Sequence, residues 1–268
     1  MLAEDFVYDG IQLSSKGYVV CDFDGQSDVN IVDVGSTISF NKIKRDSGRI
    51  YTLASATYDE CVTCTFDICK DDCKYNGVAE ISTDEFRELM RWLNRREFLP
   101  FRIINRNQTV CWYNASFNID KIIVGGRIYG ARLTMETDRP FGYGDIKNLV
   151  HSFGNDNTAW TVSNFSNEIG YIYPAVTIHC LADGDLSIHN DIENCTTTIK
   201  NCSLGETITL NGETQTIISD STKHKINNDF NWEFFRLGNK INNQQNNITA
   251  SRPCKLEIKY APIIKDIP

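Results

Sequence analysis

The sequence lacks any run of about 18 apolar residues, so it encodes no helix long enough to span a bilayer. It lacks positive charge: 27 Lys and Arg stand against 35 Asp and Glu, a net of −8. A surface of that sign neither displaces counterions from a phosphate backbone nor docks on an anionic membrane. The start, M-L-A-E-D-F, has neither the basic stretch nor the apolar core of a secretory leader, so synthesis in a reducing cytoplasm is expected. The four histidines, at 151, 179, 189 and 224, are scattered, and none is paired at a metal-ligand spacing. No H-E-x-x-H, G-x-S-x-G, P-loop or G-x-G-x-x-G occurs. The sequence therefore nominates no catalytic residue, no cofactor and no metal, and the chain is expected not to be an enzyme.

Ten cysteines in 268 residues fall short of the density of a disulfide scaffold. Four of them, Cys61, Cys64, Cys69 and Cys73, give C-x2-C-x4-C-x3-C. Zinc knuckles need a turn inside the first pair, and no Gly or Pro stands there. On a strand an offset of three sends two side chains to opposite faces. Small buried thiols are the expectation.

What is present is one helix among strands. In I-S-T-D-E-F-R-E-L-M-R-W-L-N-R-R, Ser82 is placed as N-cap with Glu85 three residues on, a capping box. Ile81 and Phe86 are spaced for a hydrophobic staple. Phe86, Leu89, Met90 and Leu93 recur on one helical face, with acids in the first turn and arginines near the end. Pro100 limits continuation. Such a lone amphipathic helix is expected to cover a sheet.

The strands follow in order. Residues 3–13 and 17–23 read as a hairpin about S-S-K-G. Segments 50–69, 101–104 and 110–119 are β-rich, and 121–124 runs into the turn Gly125-Gly126. Then A-R-L-T-M-E-T-D alternates strictly, predicting that Ala131, Leu133, Met135 and Thr137 share one face. Arg139 to Asp145, with one proline and two glycines, is the expected boundary between domains 1–145 and 146–268. Beyond it come short alternating strands about Ile178, Ile188, Trp232 and Ile258, with Asn211-Gly212 as a hairpin turn and Asn239 to Asn247 as a loop. His179 and His189 are expected on solvent faces. Trp92, Trp112 and Trp232 are expected to pack inside, and Trp160, after a polar loop, is the candidate for an exposed contact.

Several phrases, taken in order, carry a resemblance: F-V-Y-D-G-I, T-F-D-I-C-K, E-L-M-R-W-L-N-R-R-E-F, G-G-R-I-Y-G-A-R-L-T-M-E-T-D-R-P-F-G-Y-G, G-D-L-S-I-H-N and K-L-E-I-K-Y-A-P. Together they resemble the distal tail proteins of long-tailed (siphovirus-type) phages and of related prophage and tail-like particles. The resemblance implies a mainly β chain: an N-terminal β-sandwich belt domain with one helix and an extended hairpin, then a galectin-like antiparallel β-sandwich. It implies a structural virion protein at the tail tip, made in the bacterial host cytoplasm. Six copies would form a hexameric ring between the tail tube protein and the tail-associated hub protein. Receptor-binding or baseplate proteins would sit on the outer domain, and DNA would meet the ring only in transit. The competing expectation is a carbohydrate-binding module in residues 146–268 that contacts host cell-wall sugar.

Overall fold

The structure is a computed structural model that describes residues 5–21, 23, 38–44, 52–58, 61–71, 79–104, 111–155 and 159–265. Two compact units divide the chain: Met1–Gly144 with Ile264–Pro268, and Asp145–Ile263. Every strand pairing described below is antiparallel.

The first unit holds β1 (Asp5–Tyr8), β2 (Ile11–Gln12), a 3-10 turn (Leu13–Lys16), β3 (Tyr18–Cys21), β4 (Ile38–Lys44), β5 (Thr52–Tyr58), β6 (Thr63–Lys70), α1 (Thr83–Leu93), β7 (Leu99–Ile104), β8 (Tyr113–Val124), β9 (Arg127–Thr137) and β10 (Gly142–Tyr143). Seven strands form one sheet in the order β2-β1-β7-β8-β9-β6-β3, and β4 with β5 forms a separate ribbon. The expected hairpin of 3–13 with 17–23 is not made: β1 pairs with β7, and β3 pairs with β6. The intervening S-S-K coils as a 3-10 turn closed by Gly17 at φ 83, so the chain crosses between sheet margins rather than doubling back.

That crossing dictates the sheet's shape. Seven flat strands would be about 29 Å wide. The link from Gln12 to Tyr18, part of it 3-10 helix, reaches only about 15 Å. The sheet therefore rolls over, and residues from its margins (Tyr8, Leu13, Tyr18) share one interior with residues from its middle (Phe117, Leu133).

Helix α1 closes this interior. Ser82 accepts from the Glu85 N–H at 3.3 Å, and the Glu85 carboxylate accepts from the Ser82 N–H at 2.7 Å, so the capping box is complete. The buried face is Phe86, Leu89, Trp92 and Leu93, whereas Met90 is 42% exposed. Trp92 takes the place expected of Met90 because its indole N–H donates to the Tyr8 carbonyl at 3.3 Å.

The second unit holds β11 (Lys147–Phe153), β12 (Trp160–Ser163), β13 (Gly170–Ile172), β14 (Ala175–Cys180), β15 (Gly184–Asn190), β16 (Cys195–Cys202), β17 (Thr207–Asn211), β18 (Thr216–Ser219), α2 (Ile226–Asp229), β19 (Leu237–Asn239), β20 (Gln245–Ala250) and β21 (Cys254–Tyr260). The five-stranded sheet runs β11-β21-β14-β17-β18 and the four-stranded sheet β12-β20-β15-β16. Inward residues such as Ile178, Ile188, Ile248 and Leu256 meet between them in one cluster.

Two details depart from expectation. Asn211-Gly212 is not a two-residue turn, because Asn211 pairs with Thr216 across a four-residue loop. The Asn211 carboxamide oxygen caps that loop by accepting from the N–H groups of Glu213 and Thr214. Gly212 is needed for space, since a Cβ there would lie 2.3 Å from the Tyr173 ring. Residues 230–236 form no strand beyond a single bridge of Phe230 to Ile199.

Candidate functional site

In the first unit, β8 and β9 form the longest hairpin, turned by Gly125 and Gly126 at φ 59 and 83, the positive values a two-residue hairpin turn demands. Its base is fixed. Ala131, Leu133, Met135 and Thr137 all face inward, as the alternation predicts. Phe117 contacts Phe6, Tyr8, Phe66 and Phe101 at ring separations of 5.0–6.2 Å. Across the outer face Arg132 grips Asp67 with two parallel bonds of 2.8 and 2.9 Å. Lys70, its side chain 4% exposed, lies 2.8 Å from Glu85 and donates to the Glu80 carbonyl at 2.7 Å. Burial pushes the Glu85 carboxyl up, but its bonds to Lys70 and Ser82 prevail and hold it below its ordinary value.

The far end of the hairpin is different. Ile123 and Val124 are 58% and 57% exposed at its tip. On the β4–β5 ribbon, Phe40 is 65% exposed. Large apolar side chains thus stand exposed at the hairpin tip and on the ribbon.

The segment Arg139 to Gly144 folds back on the first unit. Trp112 and Tyr143 exchange two backbone bonds of 2.7 Å, and Arg139 donates to the Tyr143 hydroxyl at 2.7 Å. Trp112 is only half-buried, with the Arg102 guanidinium 5.1 Å from its ring centre. A Cβ on Gly142 would strike Cys111 and Tyr113, so that position admits only glycine.

Of the cysteine cluster, Cys64 packs against the core, and Cys69, five residues along the same strand, points to the other face. Cys61 precedes the strand, and Cys73 lies outside the described residues. Among the described residues no three His, Cys, Asp or Glu side chains gather where they could hold a metal ion.

In the second unit the Asn-rich stretch is not merely a loop. Asn246 is fully buried. Its amide donates toward the carbonyls of Val162, Gly238 and Gln244, and its oxygen accepts from the Gly238 N–H at 2.7 Å and from Asn190 at 2.8 Å. Asn164 and Asn239, also buried, tie the same region to Leu237 and Ser166. Sequence periodicity has no signal for these residues, because a polar residue at a buried position reads as a break.

A second polar cluster surrounds His224, whose side chain is 2% exposed. Its Nδ1 lies 2.6 Å from Glu206 and its Nε2 3.4 Å from Asp229, beside an open cleft of about 330 Å³ that includes Ser203, Ser221 and Lys223. Among the described residues no hydroxyl or thiol is hydrogen-bonded to that imidazole. It lies between two carboxylates, hydrogen-bonded to that of Glu206. His179 and His189 lie half-exposed on outward strand positions, as expected.

Trp160 is half-buried and stacked on His151, ring centres 5.1 Å apart at 12°. The expectation that Trp232 packs inside fails: it is 55% exposed, at φ 62. Asn231, bonded to Thr196 and Thr198, anchors the chain just before it, and the left-handed residue throws the indole outward while Phe230 and Phe234 turn in.

Comparison with known proteins places the chain among the structural components of phage tails. A family model described as a phage tail protein N-terminal domain matches residues 1–139, and one described as a phage tail C-terminal domain matches residues 141–260; the chain belongs to this phage tail protein family. Its fold is similar to that of the Dit (gp 19.1) protein of phage SPP1, a structure described as a paradigm of the hub adsorption apparatus in phages that infect Gram-positive bacteria. The match has a TM-score of 0.63 at 12% identity and covers 96% of this chain and 98% of that one. No curated protein matches the chain in sequence. The chain is thus a mainly β structural protein of the phage tail.

Proposed function

We propose that six copies close into a ring at the distal end of the tail, between the last ring of the tube and the hub or baseplate. Residues 1–145 build the ring and residues 146–268 form the outer domain. A cyclic array has no free ends, so it carries the tube's symmetry onto the hub. The observation that carries this reading is the β8–β9 hairpin, rigid at its base and apolar at its tip, on a fold shared end to end with the SPP1 protein. Exposed apolar tips are what a neighbouring copy would cover, and obligate rings bury on the order of 2,000 Å² or more per interface. Charge fits DNA transit: six copies at −8 each carry −48, which repels a phosphate backbone rather than holding it. Mass photometry and negative-stain imaging are expected to find six-fold rings, alone or with the tube protein, and Ile123→Asp with Val124→Asp is expected to leave monomers. Rings unaffected by both substitutions would remove the hairpin from the interface.

A second reading, sugar binding by the outer domain, rests on the outward indole of Trp232. Cell-wall pull-down that is lost in Trp232→Ala would favour it, and equal retention would exclude that residue.

A further inference from the structure

The buried histidine of the second unit has one ring nitrogen in use and one without a partner. His224 follows β18, Glu206 precedes β17 and Asp229 ends α2, so three separate segments bring these side chains together. Glu206 accepts from the Ser219 hydroxyl and the Ser203 N–H, and its Oε1 lies 2.6 Å from His224 Nδ1. An ionised carboxylate has no hydrogen to give, so Nδ1 carries the hydrogen of that bond. In the neutral ring Nε2 is then a bare acceptor. It is buried, and among the described residues it makes no hydrogen bond; Asp229 Oδ2, 3.4 Å away, does not complete one. A buried polar atom left in this way is costly and calls for a partner from elsewhere. Asp229 is itself held in place, because Asn201, at φ 55, donates its amide to the other carboxylate oxygen at 3.1 Å.

His224 and Asp229 both line the open cleft of about 330 Å³, a volume that admits a small ligand. Two acceptors 3.4 Å apart need two donors. A single water oxygen about 2.8 Å from both would see them only about 75° apart, too narrow for its two hydrogens. An ammonium group fails for the same reason. Adjacent hydroxyls of a diol, one facing each acceptor, reach both along nearly parallel lines. Lys223 and Lys225 line the same cleft. Their two positive charges repel a cationic ligand and match a doubly charged anion placed next to the diol.

We propose that this cleft binds a polyol phosphate. Adjacent hydroxyls of the ligand donate to His224 Nε2 and Asp229 Oδ2, and its phosphate lies against Lys223 and Lys225. Glu206 touches no ligand. It is a positioning residue that fixes the hydrogen on Nδ1 and so keeps Nε2 open as an acceptor. The site goes beyond both readings above, since it needs neither the ring nor Trp232.

The test is isothermal titration calorimetry of the full chain at pH 7 with three probes: sn-glycerol 3-phosphate, glycerol and inorganic phosphate. The first carries both diol and phosphate, and each of the others carries one of them. Glycerol 3-phosphate is expected to bind at least about ten-fold more tightly than either half. Asp229→Asn should weaken it by about ten-fold while leaving inorganic phosphate unchanged, and Lys223→Ala with Lys225→Ala should bring it down to the level of glycerol. Both lysines are exposed, so that double variant should melt as the parent does. No binding of any probe would overturn the proposal. So would equal binding of glycerol 3-phosphate and inorganic phosphate, which would mean that the lysines hold an anion alone. The three-probe comparison needs only the unmutated chain, and its outcome does not depend on whether rings form.

Discussion

The first unit fills its interior with rings, while the second fills it with aliphatic side chains threaded by buried amides. In the rolled sheet, Phe6, Tyr8, Phe66, Trp92, Phe101 and Phe117 touch one another at stacked, tilted and edge-on angles, and Tyr8, whose hydroxyl is enclosed, is pushed up to about 12 by burial. In the sandwich Ile, Leu and Val make up most of the corresponding depth, with Phe153, Phe230, Phe234, Phe235 and Tyr260 among them, and register there is enforced by Asn164, Asn190, Asn239 and Asn246. Apolar contact is non-directional, so an aromatic interior tolerates small shifts. An amide bonded on both its oxygen and its nitrogen, as those of Asn164 and Asn246 are, does not, because a shift leaves buried groups unpaired.

The sharpest way to break this comparison is to put leucine at the centre of each unit. Asn246→Leu takes a partner from the Gly238 N–H, from one N–H of the Asn190 amide and from the Val162 and Gly238 carbonyls, and should cost about 5 kcal/mol in urea denaturation. Phe117→Leu keeps an apolar group of similar size and should cost about 1.5 kcal/mol. Equal costs would mean that the amides do not govern the second unit.

A smaller effect separates the units by pH. The Glu206 side chain is 1% exposed and accepts from Ser219 at 2.5 Å, Ser203 N–H at 2.9 Å and His224 at 2.6 Å. Burial pushes its carboxyl up, yet these bonds outweigh burial and hold it below its ordinary value. A carboxyl lowered by folding stabilises above its unfolded pKa, near 4.3, and that stability is lost as pH falls through the folded value. Glu206→Gln should therefore cost about 2 kcal/mol at pH 7, with the difference from the parent shrinking by pH 3. A gap that stays constant across that range would contradict the assignment. The smallest expected effect lies in the first unit, where Ser82→Ala removes one cap and should cost about 1 kcal/mol by the same denaturation.

How much was legible in the sequence follows from how local each signal is. The capping box and the alternation of Ala131, Leu133, Met135 and Thr137 involve neighbours in sequence, and both stand in the structure as predicted. The pairing of β1 with β7 and of β3 with β6 joins segments far apart, so the local hairpin pattern misled. Trp232 alternates with Phe230 and Phe234 in sequence, yet one left-handed residue reverses its direction. Met90 satisfied helical spacing, but Trp92 took the inner position through a bond to a strand 84 residues away. The amide network and the Glu206–His224 pair were invisible for the same reason: their partners are set by tertiary folding. Trp160, singled out as an exposed contact, stands half-covered by His151.

The rolled sheet ends in margins only two and four residues long, β2 and β3, joined by a 3-10 link. Margins so brief offer almost no backbone for a foreign strand to pair with. Among the described residues, the sheet thus offers a further copy little to pair with along that direction. In the ring proposed above, neighbours would therefore meet through side chains, whose shapes set the angle between them.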